Sequence, residues 1–436
     1  METIVKYKQF FIMILVWIAI SMLAGPIVIA LVAVTTLLLK FRKRYSELLA
    51  GFWVICTLSD NRAESFHYFE QAKYVYLSLL ALFLIFDNKS FKPFFPFFLR
   101  FLPFIIVAFY CLSNTPAHIF NSAIAKTISY FLLLLVVPNY VVKAYREDST
   151  DFFRLLFYVA IFILLLGLIV KPFFPLFVTL EERYRGMLGN PNGLGLYCLV
   201  VFILFGLLNK SMPYLISRQE KLLFYALILT SVFLCGSRNA IIAILIYLFF
   251  SSLGRISVGL GLILLVIIAV GYEYINLNVV DFVKSLSLEK YLRADTLSNA
   301  AGRFIAWKLA WEYISKNIFI GHGFEYTDYL FYINQKSLNA VGHQGNAHNS
   351  YLTFWLDTGI TGLIFYFAAF LGAFIKAARR NKAVIAGLYA ILFAAVFESY
   401  LTASLNPYTM VVFIILTIFT SDEILQVKTK DIIPLH

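Results

Sequence analysis

The sequence predicts an all-α polytopic membrane protein. Of its 436 residues, 61% are hydrophobic and 18% aromatic, and the mean hydropathy is +0.82. Soluble domains average about 45–50% apolar residues, and no soluble core of this size could hide so much apolar surface. The apolar runs are long and lack the period-2 alternation of a lipid-facing barrel strand, so they read as membrane helices.

A helix needs about 20 apolar residues to cross the hydrocarbon core, fewer where flanking residues snorkel. Runs of that kind occupy residues 9–24, 27–40, 46–59, 73–87, 99–113, 121–142, 153–171, 193–208, 221–235, 239–254, 256–273, 348–374, 383–401 and 407–421. The pairs 9–24/27–40 and 221–235/239–254 are tight hairpins, so the expectation is about 12–14 transmembrane helices. They form a single transmembrane domain over residues 1–436. The first run could pass for a signal peptide, but ahead of so many later spans it reads as the first of them.

The net charge of +12 suits membrane orientation better than nucleic-acid binding. With the N-terminal side taken as the inner one, inner loops carry 22 of the 36 lysines and arginines. That bias puts both termini in the cytoplasm. Cys56, Cys111, Cys198 and Cys235 lie in or beside apolar runs without C-x-x-C spacing, and read as small buried hydrophobes.

The one long hydrophilic stretch, 274–347, is a large external loop carrying Lys284, Lys290, Arg293, Arg303, Lys308 and Lys316. Within it, Phe304, Trp307, Trp311 and Ile314 fall near one face of a helix, with Lys308 and Glu312 on another. This predicts an amphipathic helix lying in the outer interface. The "IFIGHGFEYTDY" that follows reads as a glycine-rich turn.

Four polar clusters reach the outer face. They are "RYRGMLGNPNGLGLY" with Arg183, Arg185 and Asn190; "CGSRNA" with Arg238; "AGRFIAW" with Arg303; and "HNSYLTFWLDTGITG" with His348 and Asn349. An arginine fork matches phosphate oxygens and stays charged at low dielectric. Glycine-rich turns and helix N-termini bring backbone N–H groups to an anion. Several arginines and one histidine on one face suit a site that grips a diphosphate and moves one proton. Each residue alone has a plainer reading: an arginine snorkels to headgroups, and "GNPNG" is a turn. His322, His343 and His348 could hold zinc, but no cysteine or H-E-x-x-H spacing supports a metal. Asp357 and Glu398 are ionisable groups inside apolar runs, either functional or structural hydrogen-bond partners.

His348-Asn349, nine residues, Gly359, two residues and Gly362 resemble the H-[NSQ]-x9-G-x-x-[GTY] signature of O-antigen ligases. With "GSRNA" and the "GR…W…A" helix ahead of it, residues 180–375 resemble the wider O-antigen ligase/polymerase family. The resemblance implies a fold of the membrane glycosyltransferase C type and a site at a large periplasmic loop of the bacterial inner membrane. The implied donor is a glycan on undecaprenyl diphosphate, and the implied chemistry is inverting and free of metal and cofactor. His348 is then the base on the acceptor hydroxyl. Arg185 and Arg238 hold the diphosphate, and Arg303, Arg183, Asn349 and Asn190 are substrate-binding candidates. Nearby arginines would favour the neutral imidazole a base requires. The expected function is repeat-unit polymerase for O-antigen or capsule. The alternatives are a ligase acting on lipid A-core, a transfer to a protein hydroxyl, and a lipid-linked glycan flippase, against which the absence of an internal repeat argues.

Overall fold

The computed structural model describes residues 6–86, 95–253, 258–285, 299–340, 345–403 and 405–424. Lys290, Arg293 and His343 lie outside them. Each of the fourteen expected spans corresponds to a helix. They are α1 (Lys8–Ala24), α2 (Ile27–Phe41), α3 (Tyr45–Asp60), α4 (His67–Phe86), α5 (Phe95–Tyr110), α6 (Phe120–Asp148), α7 (Thr150–Val170), α8 (Pro191–Ser211), α9 (Arg218–Cys235), α10 (Arg238–Ser252), α11 (Val258–Ser285), α15 (Ser350–Ala378), α16 (Val384–Phe397) and α17 (Pro407–Thr420). Among the described residues, six helices are long and apolar enough to cross a membrane, with shorter apolar helices beside them. The chain is an all-α polytopic membrane protein.

Both expected hairpins turn on a residue that permits a left-handed backbone. Gly25 has φ +52 between α1 and α2, and Gly236 has φ +59 at the end of α9. Along α17 every residue from Pro407 to Thr420 is buried. This helix is the axis of the bundle, packed by α3, α6, α8 and α15. The outer helices turn Leu23, Phe41, Leu229 and Phe233 outward, as a lipid solvent allows.

Residues of the large loop build a cap. It contains α12 (Asn299–Ile314), α13 (Tyr326–Ile333) and α14 (Gln335–Ala340). On α12, Ala306, Ala310 and Ile314 point inward, while Phe304 and Trp311 are exposed. Small residues allow the closer approach to the bundle, and the larger rings stay at the rim. One expectation needs correction: "YTDY" is not turn, since the chain enters α13 at Tyr326. Lys126 of α6 fastens this corner, 3.2 Å from Glu325 and 2.7 Å from Asp328.

The cap is joined to the bundle through a break in α15. Gly359 has φ 69 and ψ 176, a conformation only glycine adopts without strain. The break interrupts the helical ladder, and a strap at residues 318–323 takes the freed groups. Ile360 N–H donates to the Ile318 carbonyl at 2.8 Å and Thr361 N–H to Phe319 at 3.3 Å. In return, the Leu356 and Asp357 carbonyls accept from His322 N–H at 3.0 Å and Gly323 N–H at 2.7 Å. Four backbone bonds thus replace those the helix loses, as an apolar interior demands.

Gly359→Ala is expected to destabilise the protein. Its Cβ would stand 2.2 Å from the Phe319 carbonyl oxygen, and the backbone strain alone costs about 1–3 kcal/mol. Thermal unfolding of the purified protein in detergent should show a lowered Tm.

Candidate functional site

Four helices begin at the capped end of the bundle, and three of them start with the same device. Asn190 accepts from Gly193 N–H at 2.8 Å, Asn349 from Leu352 N–H at 3.0 Å, and Asn406 from Thr409 N–H at 2.7 Å. Proline follows Asn190 and Asn406 at the first helical position, where its missing N–H is no loss. α10 begins alongside at Arg238, with the Ser237 side chain where a Cβ on Gly195 of α8 would fall. Four positive dipole ends therefore gather on one face.

The loop before α8 is held by its own arginines. Arg183 donates to the Cys235 carbonyl at 3.0 and 2.8 Å and to Asn192 Oδ1 at 3.1 Å, closing the end of α9. Arg185 is 6% exposed and donates to the Gly189 carbonyl at 3.2 Å and the Phe177 carbonyl at 3.0 Å. Its Nε has no partner among the described residues. Burial, then the charge of Arg62, pulls the Arg185 guanidinium below its ordinary value. Asp60 accepts from both Gly189 N–H and Tyr408 O–H, each at 2.8 Å. The glycine loop is therefore sewn to the end of α3 and the start of α17.

His348 sits just before α15 with φ +44, steadied by Asn346 Oδ1, which accepts its backbone N–H at 3.0 Å. Its Nδ1 lies 3.3 Å from Glu398 Oε2. Glu398 follows α16, whose end is locked to α15. Ser350 Oγ donates to the Glu398 carbonyl at 2.7 Å, and Asn349 N–H donates to Ser399 Oγ at 2.9 Å. With Nδ1–H donated to the carboxylate, Nε2 is the acceptor nitrogen.

Arg303 of α12 comes over the Phe397 ring at 5.8 Å. Tyr272 packs on the same ring at 5.1 Å and donates its hydroxyl to Asn239 Oδ1, next to Arg238, at 2.8 Å. Trp307, one turn after Arg303, donates to the Ala347 carbonyl beside His348 at 2.9 Å. Arg238, Arg303, Glu398 and His348 thus belong to one connected neighbourhood. The face of Arg303 is set by the small-residue packing of α12 that the sequence pattern obscured.

Asn190 and Asn349 prove to be helix caps, and Arg183 braces the end of α9. Asp357 is buried and receives both the Thr327 N–H at 2.9 Å and its hydroxyl at 2.7 Å, so it anchors the cap rather than the site. His322 stacks on Tyr326 at 4.3 Å and contacts the Tyr313 carbonyl at 3.1 Å. Burial lowers its pKa. No group of three or more metal-ligating side chains assembles among the described residues. Sequence reading flagged Glu398 only as an apolar-run carboxylate. It missed Asp60 and Arg62, whose one signal was a charged "SDNRAE" break after an apolar run, and Tyr408, for which the sequence carried none.

Residues 223–367 match the family model described as O-antigen ligase. That match, over about a third of the chain, supports an assignment to the O-antigen ligase/polymerase family. The match spans Arg238, Arg303 and His348, and its end takes in the break at Gly359. Arg183, Arg185, Glu398 and the α3–α4 connection lie outside it. No curated protein matches the chain. The match supports glycan transfer as the type of activity, with lipid-linked glycans in a membrane as the class of substrate.

The capping role of Asn349 predicts a specific pattern. Asn349→Ala should destabilise by about 0.5–2 kcal/mol, and Asn349→Asp should recover most of that. Tm values of the two purified variants, compared with wild type, would check it.

Proposed function

We propose that this protein moves a glycan from undecaprenyl diphosphate to a sugar hydroxyl, acting as a repeat-unit polymerase for O-antigen or capsule. The observation that carries the reading is the His348–Glu398 pair, 3.3 Å apart, set among arginines and four helix N-termini. A base, its orienting carboxylate and a positive surface are what this displacement needs.

His348 Nε2 accepts the proton of the acceptor hydroxyl as its oxygen attacks the anomeric carbon. The bond from that carbon to the diphosphate oxygen breaks, and the electron pair leaves with the diphosphate. One displacement inverts the anomeric configuration. Negative charge grows on the leaving diphosphate, where Arg238, Arg303 and the helix N-termini stabilise it. Arg185 adds its charge from behind the glycine loop and holds that loop in shape. Arg183, Asn190 and Asn349 support the site without touching substrate. The proposed setting is the bacterial inner membrane, with cytoplasmic termini and a periplasmic site, in line with the excess of basic residues in the inner loops.

Transfer of the finished glycan to lipid A-core uses the same residues and differs only in acceptor. The two separate in one assay. Purified protein is incubated with an undecaprenyl-diphosphate-linked glycan, with and without lipid A-core. Chain growth without lipid A-core is the expected result, and transfer only to lipid A-core would make the protein a ligase. His348→Ala should lower the rate by about 10²–10⁴-fold, and Glu398→Gln by less. A chelator should leave the rate unchanged. Movement of intact lipid across the bilayer, with no new glycosidic bond in wild type, would overturn the enzymatic reading.

A further inference from the structure

The connection between α3 and α4 encloses an open cleft of about 500 Å³ lined by Asp60, Asn61, Arg62, Glu64, His67 and Glu70. That volume lies within the about 300–1,000 Å³ range of small-molecule pockets. The cleft belongs to the same end of the bundle as the arginines. Asn61 Nδ2 donates to the Met187 carbonyl at 3.3 Å, and Asp60 bonds Gly189 and Tyr408. Behind its wall sits the buried Arg185, on which the charges of Arg62 and Asp60 both act. Tyr408, at the start of α17, donates its hydroxyl to Asp60 of the cleft at 2.8 Å.

The lining is that of a sugar site in chemistry. Carboxylates and a guanidinium offer acceptors and a planar fork of donors to vicinal hydroxyls. Its charge is also selective. Three carboxylates face one guanidinium and one imidazole, and His67 is already 3.6 Å from Glu70. No His, Cys, Asp or Glu group there is placed to hold a metal ion, within the described residues.

We propose that this cleft is a glycan subsite that accepts neutral or amino sugars and rejects uronic acids, because Asp60, Glu64 and Glu70 repel an added carboxylate. The proposal rests on the glycan-transfer reading for its ligand class. It goes beyond that reading in placing a sugar at residues outside the O-antigen ligase match. Glu64 and Glu70 are exposed, so they set selectivity without carrying the fold.

The test is binding rather than turnover. Full-length protein in nanodiscs is titrated with glucose, N-acetylglucosamine, glucosamine and glucuronic acid, and saturation transfer is read by NMR. Wild type should bind the first three. Glucuronic acid should bind at least about fivefold more weakly, the effect of one like charge at about 4 Å in water. In Glu64→Gln/Glu70→Gln that discrimination should shrink, and Glu64→Gln alone should reduce it less. His348→Ala should bind as wild type does. Failure of every sugar to bind, equal binding of glucuronic acid to wild type, or unchanged discrimination in the double variant would overturn the subsite. Retained discrimination in a protein that transfers no glycan would instead count against the transferase reading alone.

Discussion

The backbone exchange at Gly359 is the constraint on which the site depends. A helix broken inside an apolar bundle exposes amide groups that lipid cannot satisfy. Here the 318–323 strap satisfies them, giving and taking two bonds on each side. The strap follows directly from α12, which carries Arg303, and α15 carries His348 at its start. Tying strap to helix therefore fixes an arginine and a histidine relative to each other, though they are far apart in sequence. Asp357, bonded to Thr327, and Lys126, paired with Glu325 and Asp328, hold the same corner from below. The glycine of the histidine motif is explained by this exchange, because a Cβ there would collide with the strap.

The second organising feature is electrostatic. Helix N-termini, Arg185, Arg238 and Arg303 collect at one end of the bundle, where Asp60 accepts from Tyr408 and Glu398 lies beside His348. Like charges converge only where something offsets them. Arg183 and Arg185 are offset in part by carbonyl oxygens, at the end of α9 and within the glycine loop. Arg303 has an aromatic face. The starts of α8, α15 and α17 are held by the caps at Asn190, Asn349 and Asn406.

Much of the scaffold could be read from the sequence. Each of the fourteen apolar runs lies on a helix, because lipid requires an apolar segment to satisfy its own backbone within one continuous element. The polar clusters were visible for the same reason: charge in such a chain has few places to be. Reading failed where neighbours decide. On α12 the pattern gave an amphipathic helix, but not that Ala306 and Ala310 are the residues it turns inward. "EYTDY" followed glycines and looked like a turn, yet Thr327 was needed on a helix to meet Asp357.

By itself the sequence determined a helical membrane protein, its span positions and the gathering of arginines and His348 toward one end. Those follow from local hydrophobicity and residue chemistry. Only the tertiary structure decided that Arg183 closes a helix end, that Asn190 and Asn349 are caps, and that Glu398, fifty residues beyond His348, is its partner. It also decided that the α3–α4 connection shares the face. Each of these is a pairing between distant segments, and the pattern along one segment does not encode which carbonyl or carboxylate another segment brings to it.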